Sequence, residues 1–324
     1  MTVRLGVLGA ASIAWRRTLP AMSQVDGLRL VAVASRDPDR AARFTDRFGG
    51  EPVDSYDRLL ARDDIDAVYA PLPTGLHHDL VSRALTAGKH VLAEKPLATT
   101  ADEARDLAAL ARRRGLILRE NFMFLYHGQH AAVRQLVDTG AIGELRAVTA
   151  VFGIPPLPDT DVRYDPALGG GALLDVGVYP IRLARTYLGP DVRVQGATLR
   201  YDRGVDVAGS ALLSGTVPAQ LTFGFTHDYR NAYELWGSTG RIVVERAFTP
   251  PPDFPPAVTL NGKPVDLPPD DQFRNITADF VRAVEAARLT GAVGGADVTG
   301  APVDADAAVA QAVVVDAVRA AAGG

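Results

Sequence analysis

The sequence predicts an α/β chain of two domains: an N-terminal Rossmann dinucleotide-binding domain over residues 1–121, then an α+β domain over 122–324 with a large, mostly antiparallel open sheet. Three observations carry this. With 324 residues, 47% of them hydrophobic, the chain can fill two cores. Its first 120 residues repeat a short apolar run, a turn and an amphipathic helix, the rhythm of βαβ units on a parallel sheet. From about Gly143 that rhythm gives way to strand-like runs with few helical stretches between them.

The elements follow in order. "RLGVLGA" leads into a first helix. "LRLVAVA" is followed by Asp37, placed to cap a helix that has Pro38 at its first position and Gly49 beyond its end. "IDAVYAPLP" precedes a helix closed by Gly88. "HVLAE" is the fourth strand. After it, Thr100 and Glu103 have capping-box spacing, Ala104, Leu107, Ala108 and Ala111 form an apolar stripe, and Arg112 to Arg114 with Gly115 end the helix. "LILREN" supplies a fifth strand ending near Asn121.

In the second domain, "LRAVTAVFGI", "VRVQGATLRY", "DVAGSALLS", "PAQLTFGFTH", "AYELWGSTG" and "RIVVERAFT" read as strands, and one amphipathic helix follows Gly169 to Gly171. "TPPPDFPPAV" and "TGAVGGADVTGAPVDAD" read as loops, and an alanine-rich helix ends the chain.

Charge and composition exclude several functions. A net charge of −4 argues against a basic face for nucleic acid or anionic membrane and leaves small molecules or other proteins as partners. The absence of cysteine removes disulfides, thiolate catalysis and cysteine-bound metal, and no carboxylate–histidine cluster predicts a metal site. No leader and no stretch of 18 or more apolar residues is seen, so a cytoplasmic protein is expected.

The turn "GVLGAASIA" aligns with G-x-G-x-x-A at Gly9, Ala11 and Ala14, and Ser12 and Ile13 lie at the predicted helix start. Alanine replaces the middle glycine, so an ordinary strand-to-helix turn is the alternative. The second strand ends in Ser35 and Arg36 instead of an acid, and a hydroxyl with a guanidinium suits a 2′-phosphate, which predicts NADP(H). Asp37 is assigned to helix capping.

Ligands of open parallel sheets bind beyond the carboxyl ends of strands, where "AEKP" puts Glu94 and Lys95. Carbonyl reduction by hydride needs a proton at oxygen, and Lys95 is a fitting donor. The alternative is an exposed lysine paired with Glu94. Asp175 and Tyr179, four apart on the helix after the glycines, share a face and can orient a sugar hydroxyl or relay a proton. Taken singly, Asp175 as a cap and Tyr179 as a half-buried phenol are the plainer alternatives.

The segments "GVLGAASIA", "PLPTGLHHD", "AEKPLA" and "GGGALLDVGVYP" together resemble the glucose-fructose oxidoreductase/inositol dehydrogenase superfamily over essentially the whole chain. That resemblance implies Lys95 as the catalytic lysine, Asp175 as a substrate or cofactor contact, and Leu72 and His77 lining the cofactor alongside Glu94. It also implies an Arg163 that reaches cofactor or substrate phosphate, and a C-terminal sheet used for homo-oligomer contact. Tyr179 stands where many members have histidine. "RENFMFLYHGQH", "VVERAFTPP" and "LPPDDQF" are similar to the nucleotide-hexose 3-ketoreductases of deoxysugar pathways. This implies NADPH-dependent reduction at C3 of a nucleotide-linked, TDP-type deoxysugar, with Lys95 or Tyr179 as proton donor. A diphosphate would need cations, and Arg163, Arg182, Arg230 and Arg274 are available. The alternatives are an NADP-dependent dehydrogenase of free aldoses or dihydrodiols, and a non-enzymatic dinucleotide-sensing regulator on the same fold.

Overall fold

The structure, a computed structural model, describes residues 2–290 and 305–323. Most of "TGAVGGADVTGAPVDAD" therefore lies outside the described residues. The described chain divides into two units. One comprises 2–98, 102–126, 272–290 and 305–309; the other comprises 99–101, 127–271 and 310–323. A single cut at residue 121 misses this interleaving, because a helix from far along the chain returns to the first unit.

In the first unit the elements are β1 (Val3–Leu8), a π-helical turn (Ala14–Thr18) running into α1 (Leu19–Met22), β2 (Leu28–Ala34), α2 (Pro38–Phe48), β3 (Glu51–Val53), α3 (Tyr56–Leu60), β4 (Ala67–Ala70), α4 (His77–Thr86), β5 (His90–Glu94), α5 (Ala101–Arg114) and β6 (Leu118–Asn121). The strands make one parallel sheet in the order β3-β2-β1-β4-β5-β6, with the switch point between β1 and β4. Strand β3 has no counterpart among the sequence expectations. It is three residues long, contains Pro52 and lies at the sheet edge, so it leaves little periodic signal.

Both faces of this sheet are covered, which is why its strands read as continuous apolar runs. On one face Phe280, Val281 and Val284 pack with Val3, Leu5, Val7 and Leu92. The buried Arg119 of β6 forms an ion pair with Asp279, which also accepts a bond from the Tyr126 hydroxyl at 3.1 Å. These contacts fasten the returning helix to the sheet.

The second unit is built on α6 (Gly128–Asp138), β7 (Leu145–Gly153), a π-helical turn (Leu173–Gly177) running into α7 (Val178–Leu188), β8 (Arg193–Asp202), β9 (Val205–Ser214), β10 (Pro218–Gly224), β11 (Arg230–Gly237), β12 (Arg241–Glu245), β13 (Ala257–Leu260) and β14 (Lys263–Val265). The returning helix of the first unit is α8 (Gln272–Thr290), and α9 (Ala305–Ala322) follows. The eight strands run in the order β14-β13-β12-β11-β7-β10-β9-β8, antiparallel except for the β7–β10 pair. Helix α7 packs against β7 and β10. The sheet is thus buried on one face and open on the other, as alternation along β10 shows: Leu221 and Phe223 are buried, Gln220 and Thr222 exposed. The mostly antiparallel sheet is the one the sequence predicts, with β13 and β14 added beyond the proline-rich loop.

Candidate functional site

In the first unit, five side chains fix the turns at the carboxyl ends of the strands. Gly9 ends β1 with φ +110°, a conformation L side chains avoid, and a Cβ there would lie 3.0 Å from Leu72 Cδ2. Backbone can therefore approach a ligand closely here, and Leu72 forms the wall beneath. Ala11 and Ile13 are half-buried and Ser12 is exposed, at the start of the helical run that continues to Met22. Its first N–H groups precede the hydrogen-bond ladder and point toward the strand ends, an anion-binding geometry.

At the end of β2, Asp37 behaves as a cap: its carboxylate accepts from the N–H groups of Asp39 at 3.0 Å and Arg40 at 3.2 Å. The acid nearest an adenosine ribose is therefore turned into its own helix. Ser35 is buried with its Oγ accepting from Asp37 N–H at 3.1 Å, and Arg36 is exposed. A hydroxyl proton and a guanidinium remain for a ribose phosphate, a donor set that fits NADP(H).

Lys95 is half-buried at the end of β5, and the Lys95–Pro96 bond is cis. Three buried side chains hold its turn. His77 is fully buried, with Nδ1 2.9 Å from Pro96 O and 3.2 Å from Leu97 O, and Nε2 2.9 Å from Leu72 O. Burial lowers its pKa, so the ring is neutral and donates through one nitrogen at a time. Its contribution is placement, tying the Leu72 wall to the Lys95 turn. Glu120 Oε1 accepts from Leu97 N–H at 2.9 Å. Glu94 is also enclosed: its Oε1 accepts from Tyr69 OH at 2.7 Å and Asn121 Nδ2 at 2.6 Å, and Thr18 Oγ1 lies 2.9 Å from the same phenol. Burial pushes the Glu94 pKa up. This network links the first helix, β4, β5 and β6 across the switch point.

In the second unit, Asp175 lies on the π-helical turn and Tyr179 on the first turn of α7. The expected single α-helix is thus widened where Asp175 sits, a form often found at functional sites. Asp175 Oδ2 accepts from Arg163 Nε at 2.6 Å, and Asp161 takes the other edge of the guanidinium at 3.2 Å. The Arg163 that the sequence offers to a phosphate is therefore paired with the Asp175 it also offers to the site. Tyr179 is buried edge-on to Phe152, with centroids 5.2 Å apart, and 5.6 Å from Phe248.

Sequence reasoning missed the residue that starts this helix. Asp206 of β9 is buried, its Oδ2 accepts from Leu173 N–H at 2.6 Å, and its pKa is raised by burial. A Cβ on Gly171, whose φ is +122°, would collide with Asp206 Oδ1, and one on Gly170 would strike the carbonyls of Arg163 and Asp165. The glycine run exists so that backbone can press against the carboxylate. An aspartate inside the apolar "VDV" was the available signal. Of the other cations considered, Arg182 is buried, Arg230 opens β11 on the surface, and Arg274 belongs to α8 of the first unit.

Among the described residues no group of three or more His, Asp or Glu side chains is placed to hold a metal, and no helix is long and apolar enough to cross a membrane.

Residues 3–122 match the model of an oxidoreductase family with an NAD-binding Rossmann fold, and residues 130–243 match the GFO/IDH/MocA C-terminal domain. The chain is 57% identical over 293 residues to a dTDP-3,4-didehydro-2,6-dideoxy-alpha-D-glucose 3-reductase of Saccharopolyspora spinosa, covering 88% of each protein. A reductase of the same name from Actinomadura kijaniata is 53% identical over 87% of each. A crystal structure of a 3-ketoreductase from Actinomadura kijaniata, in complex with NADP and TDP-benzene, superposes with a TM-score of 0.91 at 50% identity, over 99% of this chain and 98% of that one. The two matched domains cover the turn of Gly9, the Lys95 strand end and the Asp175–Tyr179 helix, and the chain belongs to the GFO/IDH/MocA oxidoreductase family.

Proposed function

We propose that the protein is an NADPH-dependent 3-ketoreductase that reduces the C3 keto group of a TDP-linked deoxysugar in deoxysugar biosynthesis. The observation that carries this is 50% identity across 99% of the chain to a 3-ketoreductase crystallised with both NADP and TDP-benzene. Variants of that relative with a single lysine or a single tyrosine replaced have also been crystallised, and those are the residue types at Lys95 and Tyr179.

NADPH supplies the hydride. Gly9 and the helix start at Ser12 and Ile13 take the pyrophosphate, Ser35 and Arg36 take the 2′-phosphate, and Leu72 walls the cofactor. Lys95 carries its ammonium beyond the end of β5, on a turn whose main chain His77 and Glu120 hold in place. Tyr179 presents a phenol. As the keto carbon gains hydride, its oxygen gains negative charge and takes a proton from Lys95 or Tyr179, which variant kinetics separate. Asp175, held by Arg163, orients a sugar hydroxyl.

The open sheet face carries Trp236, 61% exposed, and Leu212, 43% exposed, which supports a homo-oligomer formed through this face. Light scattering that finds only monomer at micromolar concentration would remove that part. The function itself is tested by NADPH oxidation against TDP-linked 3-keto sugars, free aldoses and dihydrodiols. Turnover confined to the TDP-linked substrates is expected, and equal turnover of free aldoses would refute it.

A further inference from the structure

One end of the second unit's sheet gathers the end of β12, the approach to β11 and the aromatic cluster under Tyr179. Among the described residues three non-glycine residues have positive φ: Arg203 at 54°, Arg246 at 53° and Asn261 at 53°. Arg203 with Gly204 and Asn261 with Gly262 form two-residue hairpin tips, between β8 and β9 and between β13 and β14, where that conformation is expected. Arg246 has no such reason. It leaves β12 into the Ala247–Phe248 segment, and an arginine kept there at a backbone cost points to a task for its side chain.

The side chain is braced but not neutralised. The Arg246 Cζ lies 5.0 Å from the centroid of Tyr229 and 5.4 Å from that of Phe254. Ring faces hold a guanidinium without using any of its five N–H donors. The other arginines near this end are already committed: Arg163 to Asp161 and Asp175, Arg203 to Asp159 and Asp202, Arg200 to the Thr226 hydroxyl. Among the described residues no carboxylate pairs with Arg246.

Its position relates to Tyr179. Two residues on, Phe248 packs 5.6 Å from the Tyr179 ring, and two residues of chain span at most about 7 Å. Asn231 Nδ2 lies 3.4 Å from Tyr229 OH, which sets Tyr229 on the side of Asn231 and Tyr233, the side covered by His130. Arg230 falls on the opposite face.

We propose that Arg246, clamped between Tyr229 and Phe254, is the anchor for the diphosphate of a nucleoside-diphosphate sugar whose keto group is presented to Tyr179. The inference rests on the proposed nucleotide-linked substrate and adds the group that selects it over a free sugar. The diphosphate on C1 lies one pyranose away from a C3 keto oxygen, and Arg246 stands two residues from the Phe248 ring on which Tyr179 rests. Two N–H donors of one guanidinium meet two phosphate oxygens in a planar fork.

The test is calorimetric titration of the NADP-loaded enzyme with thymidine diphosphate, alongside steady-state kinetics on the TDP-linked keto sugar. Arg246→Ala and Arg246→Gly should each weaken thymidine diphosphate binding roughly 10- to 100-fold and raise the sugar KM by the same factor, with kcat and the NADPH KM little changed. Arg246→Gly also relaxes the positive φ, so its Tm should equal or exceed that of the native protein, separating lost binding from lost folding. Arg230→Ala should bind as the native enzyme does. Thymidine diphosphate affinity within twofold of native in both Arg246 variants, or an equal loss in Arg230→Ala, overturns the anchor and leaves the ketoreductase standing. A native enzyme that neither binds thymidine diphosphate nor turns over the TDP-linked sugar overturns the proposed function itself.

Discussion

Acid should destabilise the second unit through the buried His130. His130 is fully buried between Tyr233 OH, 3.0 Å from Nδ1, and Ala247 O, 3.0 Å from Nε2. Those partners assign the tautomer: Nε2–H donates to the carbonyl and Nδ1 accepts from the phenol. Burial above all, with His127 adding to it, depresses its pKa from 6.5 to about 3. Between those values the unfolded chain binds a proton that the folded chain refuses, so stability falls as pH falls. From pH 7 to pH 5 the loss from this group alone is about 2 kcal/mol. The assay is urea unfolding of the native protein and His130→Gln at both pH values. The native protein should be the more stable at pH 7, and the gap should narrow by about 2 kcal/mol at pH 5, since glutamine takes up no proton. A gap constant to within about 0.5 kcal/mol would refute the assignment of a neutral, buried His130.

Three further outcomes are expected. Lys95→Ala and Tyr179→Phe should each keep NADPH binding, measured by fluorescence titration, and the one that removes the proton donor should lower kcat roughly 10²- to 10⁴-fold. Unchanged turnover in both would remove this chemistry. Arg36→Ala should cut NADPH affinity about tenfold or more while leaving NADH affinity alone, and equal native affinities for the two cofactors would sink the 2′-phosphate assignment. Asp206→Ala, which leaves the Leu173 N–H without its acceptor, should cost about 1–3 kcal/mol in thermal unfolding and lower kcat with it, whereas Asp206→Asn, which keeps an acceptor oxygen, should recover most of both. A full-strength Asp206→Ala enzyme would mean the helix start does not depend on that carboxylate.

Much of the fold was legible because its signals are local. Asp37 caps α2, and Gly49, Gly88 and Gly115 take positive φ at helix ends, as their types and positions require. Helix α5 begins at Ala101, directly after Thr100, yet Ala101 N–H is held at 2.7 Å by Asp316 Oδ2, 215 residues away. No local pattern carries that. The same limit separates what was read of the site from what was missed. Lys95 stands out as a charge at a strand end and Tyr179 as a phenol four residues from an acid. Glu120, Asn121 and Arg246 owe their roles to backbone atoms, a carboxylate or rings brought near by topology, and only Asp206, an acid inside an apolar strand, leaves a local signal.

Several buried polar groups of both units share one arrangement: each binds the main chain of a turn, and each of those turns carries or braces a functional side chain. His77 and Glu120 take the carbonyls and the N–H of the Pro96–Leu97 turn next to Lys95. Asp206 takes the N–H of Leu173, four residues from Val176 and Gly177 at most in the run that leads to Tyr179. Gln129 and His130 take Ala247 O, and Asn231 Oδ1 accepts from Phe248 N–H at 2.8 Å, setting the ring on which Tyr179 rests. Apolar packing alone could bury these turns, but it tolerates shifts that hydride and proton transfer do not. A hydrogen bond to the main chain fixes direction as well as depth, and burial makes the wrong position costly because it leaves a polar group unpaired. Arg246 differs from these groups: it is exposed, and among the described residues it is set against rings with no carboxylate, which leaves its donors for a diphosphate.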